Sequence, residues 1–138
     1  MRLFILALLL VPVQSPAYAE KPMAPEHIPG ATLVHAEEVV PLLLEQNGIV
    51  LIDSRKEDEY AKGHIEGAVN LPDTTMTPEV LATHVPGRDT PILFYCNGER
   101  CLRSSNAVTM AQQWGYRNLF WFRGGWVEWR RKRLPVAK

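Results

Sequence analysis

Two cysteines, Cys96 and Cys101, stand five positions apart in the stretch FYCNGERCLRS, residues 94–104. A pair at this spacing could serve as a structural staple, as a dithiol–disulfide couple, or as a nucleophile with a neighbouring thiol. The stretch enters from the apolar run PILFYC and leaves through a polar, arginine-bearing segment. A zinc site is a poor fit, because structural zinc wants four ligands and C-x4-C brings no second ligand pair. His27, His35, His64 and His84 are scattered along the chain, none of them inside the cysteine loop. No metal and no cofactor is expected.

The flanking elements decide what the cysteines can do. ATLV (31–34) suits a short strand, and HAEEVVPLLLEQNG (35–48) has helical spacing, with Pro41 marking a break between a first turn and a second helix. IVLID (49–53) reads as a strand buried on both faces, SRKEDEYAKGH (54–64) as a short helix closed by Gly63, and AVNLP (68–72) as a strand. Thr77 and Pro78 form a helix start for 77–85. PILFYC (91–96) is a central strand, 104–116 a helix with Ser104 at its start and Gly115 at its end, NLFWF (118–122) the last strand, and 124–133 the last helix. The alternation predicts an α/β fold, a parallel sheet of about five strands with helices on both faces.

In such sheets, ligands bind beyond the carboxyl ends of the strands, beside the N-termini of the following helices. Cys96 falls at that place. Loop amides from Asn97 through Gly98, Glu99, Arg100, Leu102, Arg103 and Ser104 would surround its sulfur, and Arg100 and Arg103 would add positive charge. Both influences favour the thiolate, which is the nucleophilic form, and suit attack on an anionic electrophile. The plainer reading makes Cys96 a small buried hydrophobe at a strand end. Cys101 is read either as a second thiol within reach of Cys96 or as an inert loop residue.

Four stretches in order, LIDSR (51–55), YAKGHIEGAVNLP (60–72), FYCNG (94–98) and FRGGWVEW (122–129), make the chain resemble the rhodanese family of single-domain sulfurtransferases over residues 31–134. The resemblance implies that Cys96 takes sulfane sulfur from a small anionic donor such as thiosulfate and passes it to a thiol or cyanide-like acceptor, a protein acceptor included. It also implies that Asp53 and Arg55 brace the active loop; Ser54 stands where valine is common. His64 belongs to the shared motif as a packing and hydrogen-bonding residue.

The loop departs from the common pattern. Arg103 and Ser104 come about two positions later than in the usual Cys-x4-Arg/Ser loop, and Leu102 occupies the arginine position of Cys-x5-Arg phosphatase-like members. The Cys-Asn-Gly start with a second cysteine is similar to an exported subgroup. Four intervening residues suffice to close a Cys96–Cys101 disulfide. Cys101 is therefore a candidate resolving thiol for a Cys96 persulfide, and a thiol redox protein or a non-catalytic binding module on the same fold are the alternatives.

Near its start the chain carries Arg2, an apolar run from Leu3 to Val11, Pro12 and the small-residue site Ala17-Tyr18-Ala19. These are the parts of a cleavable export signal, residues 1–19, cut after Ala19; the run is too short for a bilayer span. A periplasmic or secreted domain, 31–138, would follow a flexible lead-in, 20–30, with no membrane attachment after cleavage. Of 15 Lys and Arg and 15 Asp and Glu, removal of Arg2 leaves fourteen against fifteen. That balance argues against nucleic acid as a partner. The RRKR run at 130–133 suits a solvated helix end, and Trp114, Trp121, Trp126 and Trp129 suit core and rim packing.

Overall fold

A computed structural model describes residues 12–138; the apolar run of the expected export signal lies outside the described residues. The strands are β1 (Ala31–Leu33), β2 (Val50–Asp53), β3 (Val69–Asn70), β4 (Ile92–Tyr95) and β5 (Leu119–Phe122). They alternate with α1 (Ala36–Glu45), α2 (Glu57–Lys62), α3 (Pro78–His84), α4 (Arg103–Gln113) and α5 (Gly125–Arg131). The four pairings between these strands are parallel, in the order β1-β5-β4-β2-β3. The expected α/β class and its five-stranded parallel sheet are the observed ones.

Period-two alternation along the central strands divides the core in two. Ile52, Phe94 and Trp121 face α3 and α4 and pack with Leu81, Ala107, Val108 and Ala111. Leu51, Leu93, Tyr95 and Phe122 face α1 and α5 and pack with Val39 and Trp129. Because β4 is the middle strand and all four of its residues are fully buried, the chain leaving it has a rigid point of departure. That chain is the cysteine loop.

Three local expectations change. Pro41 does not divide α1, which runs unbroken. Its missing N–H would have bonded the Glu37 carbonyl, and both residues lie on the exposed face where water can serve that oxygen. α4 begins at Arg103, with Leu102 and not a serine at the capping position. The lead-in is loose only in part. Ala24 and Ile28 are buried in the core, and Gln112 Nε2 donates to the Pro29 carbonyl at 2.6 Å. Thr77 caps α3 as expected, its Oγ1 accepting from Val80 N–H.

Candidate active site

Cys96 follows the last residue of β4 and is 1% exposed. It forms a disulfide with Cys101, their Cα atoms 6.3 Å apart, within the usual range for such bridges. A cavity of about 820 Å³ opens over the loop, lined among others by Asn97, Gly98, Arg100, Cys101, Arg103 and Arg131. Cys101 lines that cavity and Cys96 does not: in the disulfide form the strand-end sulfur lies behind its neighbour.

The loop is held from four directions. From α5, the Trp126 and Val127 amides donate to the Cys96 and Asn97 carbonyls, both at 2.8 Å. That approach needs Gly125, whose φ is +53° and where a Cβ would fall on the Cys96 carbonyl oxygen. From α2, Glu59 accepts the Asn97 side-chain amide at 2.9 Å. From the lead-in, Ala24 N–H donates to the Glu99 carbonyl at 2.7 Å, while Arg123 pairs with the Glu99 carboxylate and donates to the carbonyls of Ala24 and Pro25. Within the loop, Cys101 N–H donates to the Gly98 carbonyl at 3.0 Å.

These contacts use the loop's carbonyls and leave its amides. The N–H groups of Asn97, Gly98, Glu99, Arg100 and Leu102 have no acceptor among the described residues. Beside them stands the N-terminus of the 11-residue α4, whose first amides and dipole favour negative charge.

The other expected anion-binding residues divide. Arg100 is exposed and forms no ion pair among the described residues. Arg103 is tied to Asp73 at 3.0 Å, and so acts on the site through a neutralised pair. Glu99 is paired with Arg123, while Glu128 accepts the Ala36 N–H and keeps its charge, so among the described residues the unpaired charges around the cavity are Arg100 and Arg131 against Glu128. Leu102 leans on the core, and Ser104 is buried with its hydroxyl accepting from the Trp121 indole at 3.0 Å. Ser104 therefore anchors the helix start and does not reach the cradle with its side chain. Sequence reasoning missed Glu59, Asp73, Ala24 and Arg123, all far from the cysteines in the chain. Only the paired glycines before Trp126 offered a signal for the α5 contacts.

Asp53 and Arg55 form the buried brace beneath. The Asp53 carboxylate accepts from Arg55 N, Nε and Nη2 and from Tyr95 Oη, the last at 2.6 Å. Arg55 also donates to the Gly63 carbonyl and lies 4.5 Å from the Trp126 ring centroid. Burial works against the charge on Arg55, but the hydrogen bonds and attraction of Asp53 outweigh it and raise its pKa. Burial, reinforced by the Asp53 charge, also pushes the Tyr95 phenol upward, so Tyr95 remains a neutral donor. The brace reaches the loop through Trp126, whose own amide holds the Cys96 carbonyl. His64 stacks on Tyr60 with ring centroids 3.7 Å apart and hydrogen-bonds the Tyr60 carbonyl, a packing role.

Residues 35–132 match the family model described as a Rhodanese-like domain. The HTH-type transcriptional regulator Rv0324 of Mycobacterium tuberculosis is 37% identical over 92 residues, 67% of this chain and 39% of that protein. The uncharacterized protein YibN of Escherichia coli is 27% identical over 97 residues, 70% of this chain and 66% of that one. A tRNA uridine(34) hydroxylase of Erwinia tasmaniensis is 31% identical over 114 residues, 78% of this chain but 31% of its own length. Each of these proteins is longer than the stretch it shares with this chain. Among solved structures, the BH2092 protein of Bacillus halodurans superposes with a TM-score of 0.68 at 22% identity, covering 78% and 77% of the two chains. A thiosulfate sulfurtransferase of Pseudomonas aeruginosa gives 0.60 at 25% identity over 78% of this chain and 20% of that one. With the fold and the matched family model in agreement, this chain belongs to the rhodanese-like family.

Proposed function

We propose that this chain is a sulfurtransferase in which Cys96, once reduced, carries sulfane sulfur as a persulfide. The observation that supports it best is the run of unpartnered loop amides at the end of β4, leading directly into the N-terminus of α4. Such a cradle stabilises a thiolate and a sulfur-borne anion, and Arg100 and Arg131 draw an anionic donor toward it. With thiosulfate, the Cys96 thiolate attacks the sulfane sulfur, a new S–S bond forms, and sulfite departs with the electron pair of the broken bond. An acceptor thiolate or cyanide then takes the outer sulfur and regenerates the Cys96 thiolate. No general base is needed, which agrees with the packing role of His64.

The Cys96–Cys101 bridge favours a second outcome for the same intermediate. The Cys101 thiolate attacks the inner sulfur of the persulfide, hydrosulfide leaves with the electron pair, and the disulfide remains. Two equivalents of an external thiol would restore the dithiol, oxidised in turn to their own disulfide. The first reaches Cys101, because that is the sulfur on the cavity side. An exported chain, released by cleavage after Ala19, would meet the oxidising conditions under which this bridge persists; N-terminal sequencing of the protein from culture fractions tests that placement.

The test is stopped-flow assay of sulfite release from thiosulfate by the reduced protein. A burst stoichiometric with enzyme, lost in Cys96→Ser and retained in Cys101→Ser, is the expected result. No burst in the reduced wild-type protein would defeat the reading.

A further inference from the structure

Ser54 is completely buried, and its hydroxyl has no hydrogen-bond partner among the described residues. An orphaned buried hydroxyl is a penalty to folding, so its position bears on what it is for. In the β2–β4 ladder, Val50 lies opposite Ile92 and its N–H donates to the Pro91 carbonyl. Four residues on, Ser54 N–H donates to the Tyr95 carbonyl at 2.9 Å. By the same pattern, Ser54 lies opposite Cys96, one step beyond the Asp53–Tyr95 pair.

Partners in a parallel ladder turn their side chains to the same face, about 5 Å apart at Cβ. Asp53 and Tyr95 meet on the α1–α5 side, so Ser54 and Cys96 turn together toward α4. The backbone around Ser54 is pinned as well: the Asn70 side-chain amide donates to the Asp53 and Arg55 carbonyls on either side of it. The Ser54 side chain thus stands in register with that of Cys96, in a place closed to water.

We propose that Ser54 is a further residue of the sulfur chemistry, its hydroxyl donating a hydrogen bond to the Cys96 sulfur when that sulfur is a thiolate. A disulfide sulfur is a weak acceptor and a thiolate a strong one. The hydroxyl is therefore orphaned in the bridged form and satisfied in the reduced form. Its unmet bond adds a small bias toward opening the bridge. The proposal deepens the sulfurtransferase reading and rests on its choice of Cys96 as the nucleophile.

The experiment uses the chain carrying Cys101→Ser, in which Cys96 stays reduced, and follows the pH dependence of Cys96 alkylation by iodoacetamide. Ser54→Ala is expected to raise the midpoint by about one pH unit, a tenfold fall in thiolate fraction below the midpoint. Ser54→Thr, which keeps the hydroxyl, holds the midpoint near that of the parent. Thermal unfolding gives a second readout: Ser54→Ala lowers Tm in the reduced background and raises it in the disulfide-bonded protein. An unchanged alkylation midpoint, or a Tm shift of one sign in both redox states, overturns the assignment. Neither readout depends on sulfur transfer. A shifted midpoint in a protein that takes no sulfur from thiosulfate would sink the proposed function and leave the role of Ser54 standing.

Discussion

Replacing Gly125 by alanine tests how the loop is held, and Gly67 supplies the control. Both glycines have positive φ, +53° at Gly125 and +83° at Gly67, but a Cβ at Gly67 meets nothing within 4 Å. Gly67→Ala therefore carries only the backbone penalty of a left-handed alanine, about 1–2 kcal/mol. At Gly125 the same penalty is joined by a clash, because the new Cβ falls on the Cys96 carbonyl oxygen and lies 3.1 Å from the Asn97 carbonyl carbon. Those are backbone atoms, which cannot swing aside as a flexible side chain would. The loop must move away from α5, breaking the bonds from Trp126 and Val127 at 2.8 Å, worth roughly 0.5–1.5 kcal/mol each. Gly125→Ala should thus destabilise by about 2–5 kcal/mol in urea unfolding and should slow alkylation of reduced Cys96, whereas Gly67→Ala should leave alkylation unchanged. Equal stability losses in the two variants, with equal Cys96 reactivity, would refute the claim that α5 holds the loop through Gly125.

Three further outcomes follow from the buried brace and the bridge. Asp53→Ala leaves the Arg55 guanidinium, 2% exposed, without its counterion, and should destabilise by about 3–5 kcal/mol in chemical denaturation. Tyr95→Phe removes a donor to a charged acceptor and should lower stability at neutral pH by about 1.5–3 kcal/mol. Since the folded-state pKa of Tyr95 is raised above its ordinary 10.0, its contribution is complete below that value and is lost as pH climbs beyond it, when the unfolded phenol ionises first. Denaturation series at rising alkaline pH should therefore show a steeper fall for wild type than for Tyr95→Phe. Cys101→Ser should turn over thiosulfate with cyanide but release less hydrosulfide in the presence of external thiol, measured by a sulfide electrode; equal release would exclude Cys101 as the resolving thiol.

The sheet was legible because its central strands are short, mainly apolar runs bounded by turn residues, and because β4 is apolar at all four positions, as burial on both faces requires. The position of Cys96 followed from that reading. What stayed hidden depends on contacts distant in sequence. Arg103 looked like an anion ligand, but Asp73, 30 residues earlier, takes its charge. Ser104 looked like a helix cap, yet the Trp121 indole, 17 residues later, turns its hydroxyl into the core. The polar, proline-rich lead-in looked loose, although Ala24 and Ile28 fill the core and Arg123, 98 residues beyond Pro25, holds that carbonyl. Pro41 looked like a break, but on an exposed helix face the lost hydrogen bond can be replaced by water. Local pattern reports the periodicity of burial; it does not report which polar group meets which.

The measurement that bears most directly on the central claim is the intact mass of the protein, reduced and then exposed to thiosulfate, beside Cys96→Ser. The account predicts a gain of one sulfur atom, absent from the variant and removed by cyanide. A reduced protein that gains no sulfur, and merely loses two hydrogens as the Cys96–Cys101 bridge reforms, would contradict it and make the pair a redox couple.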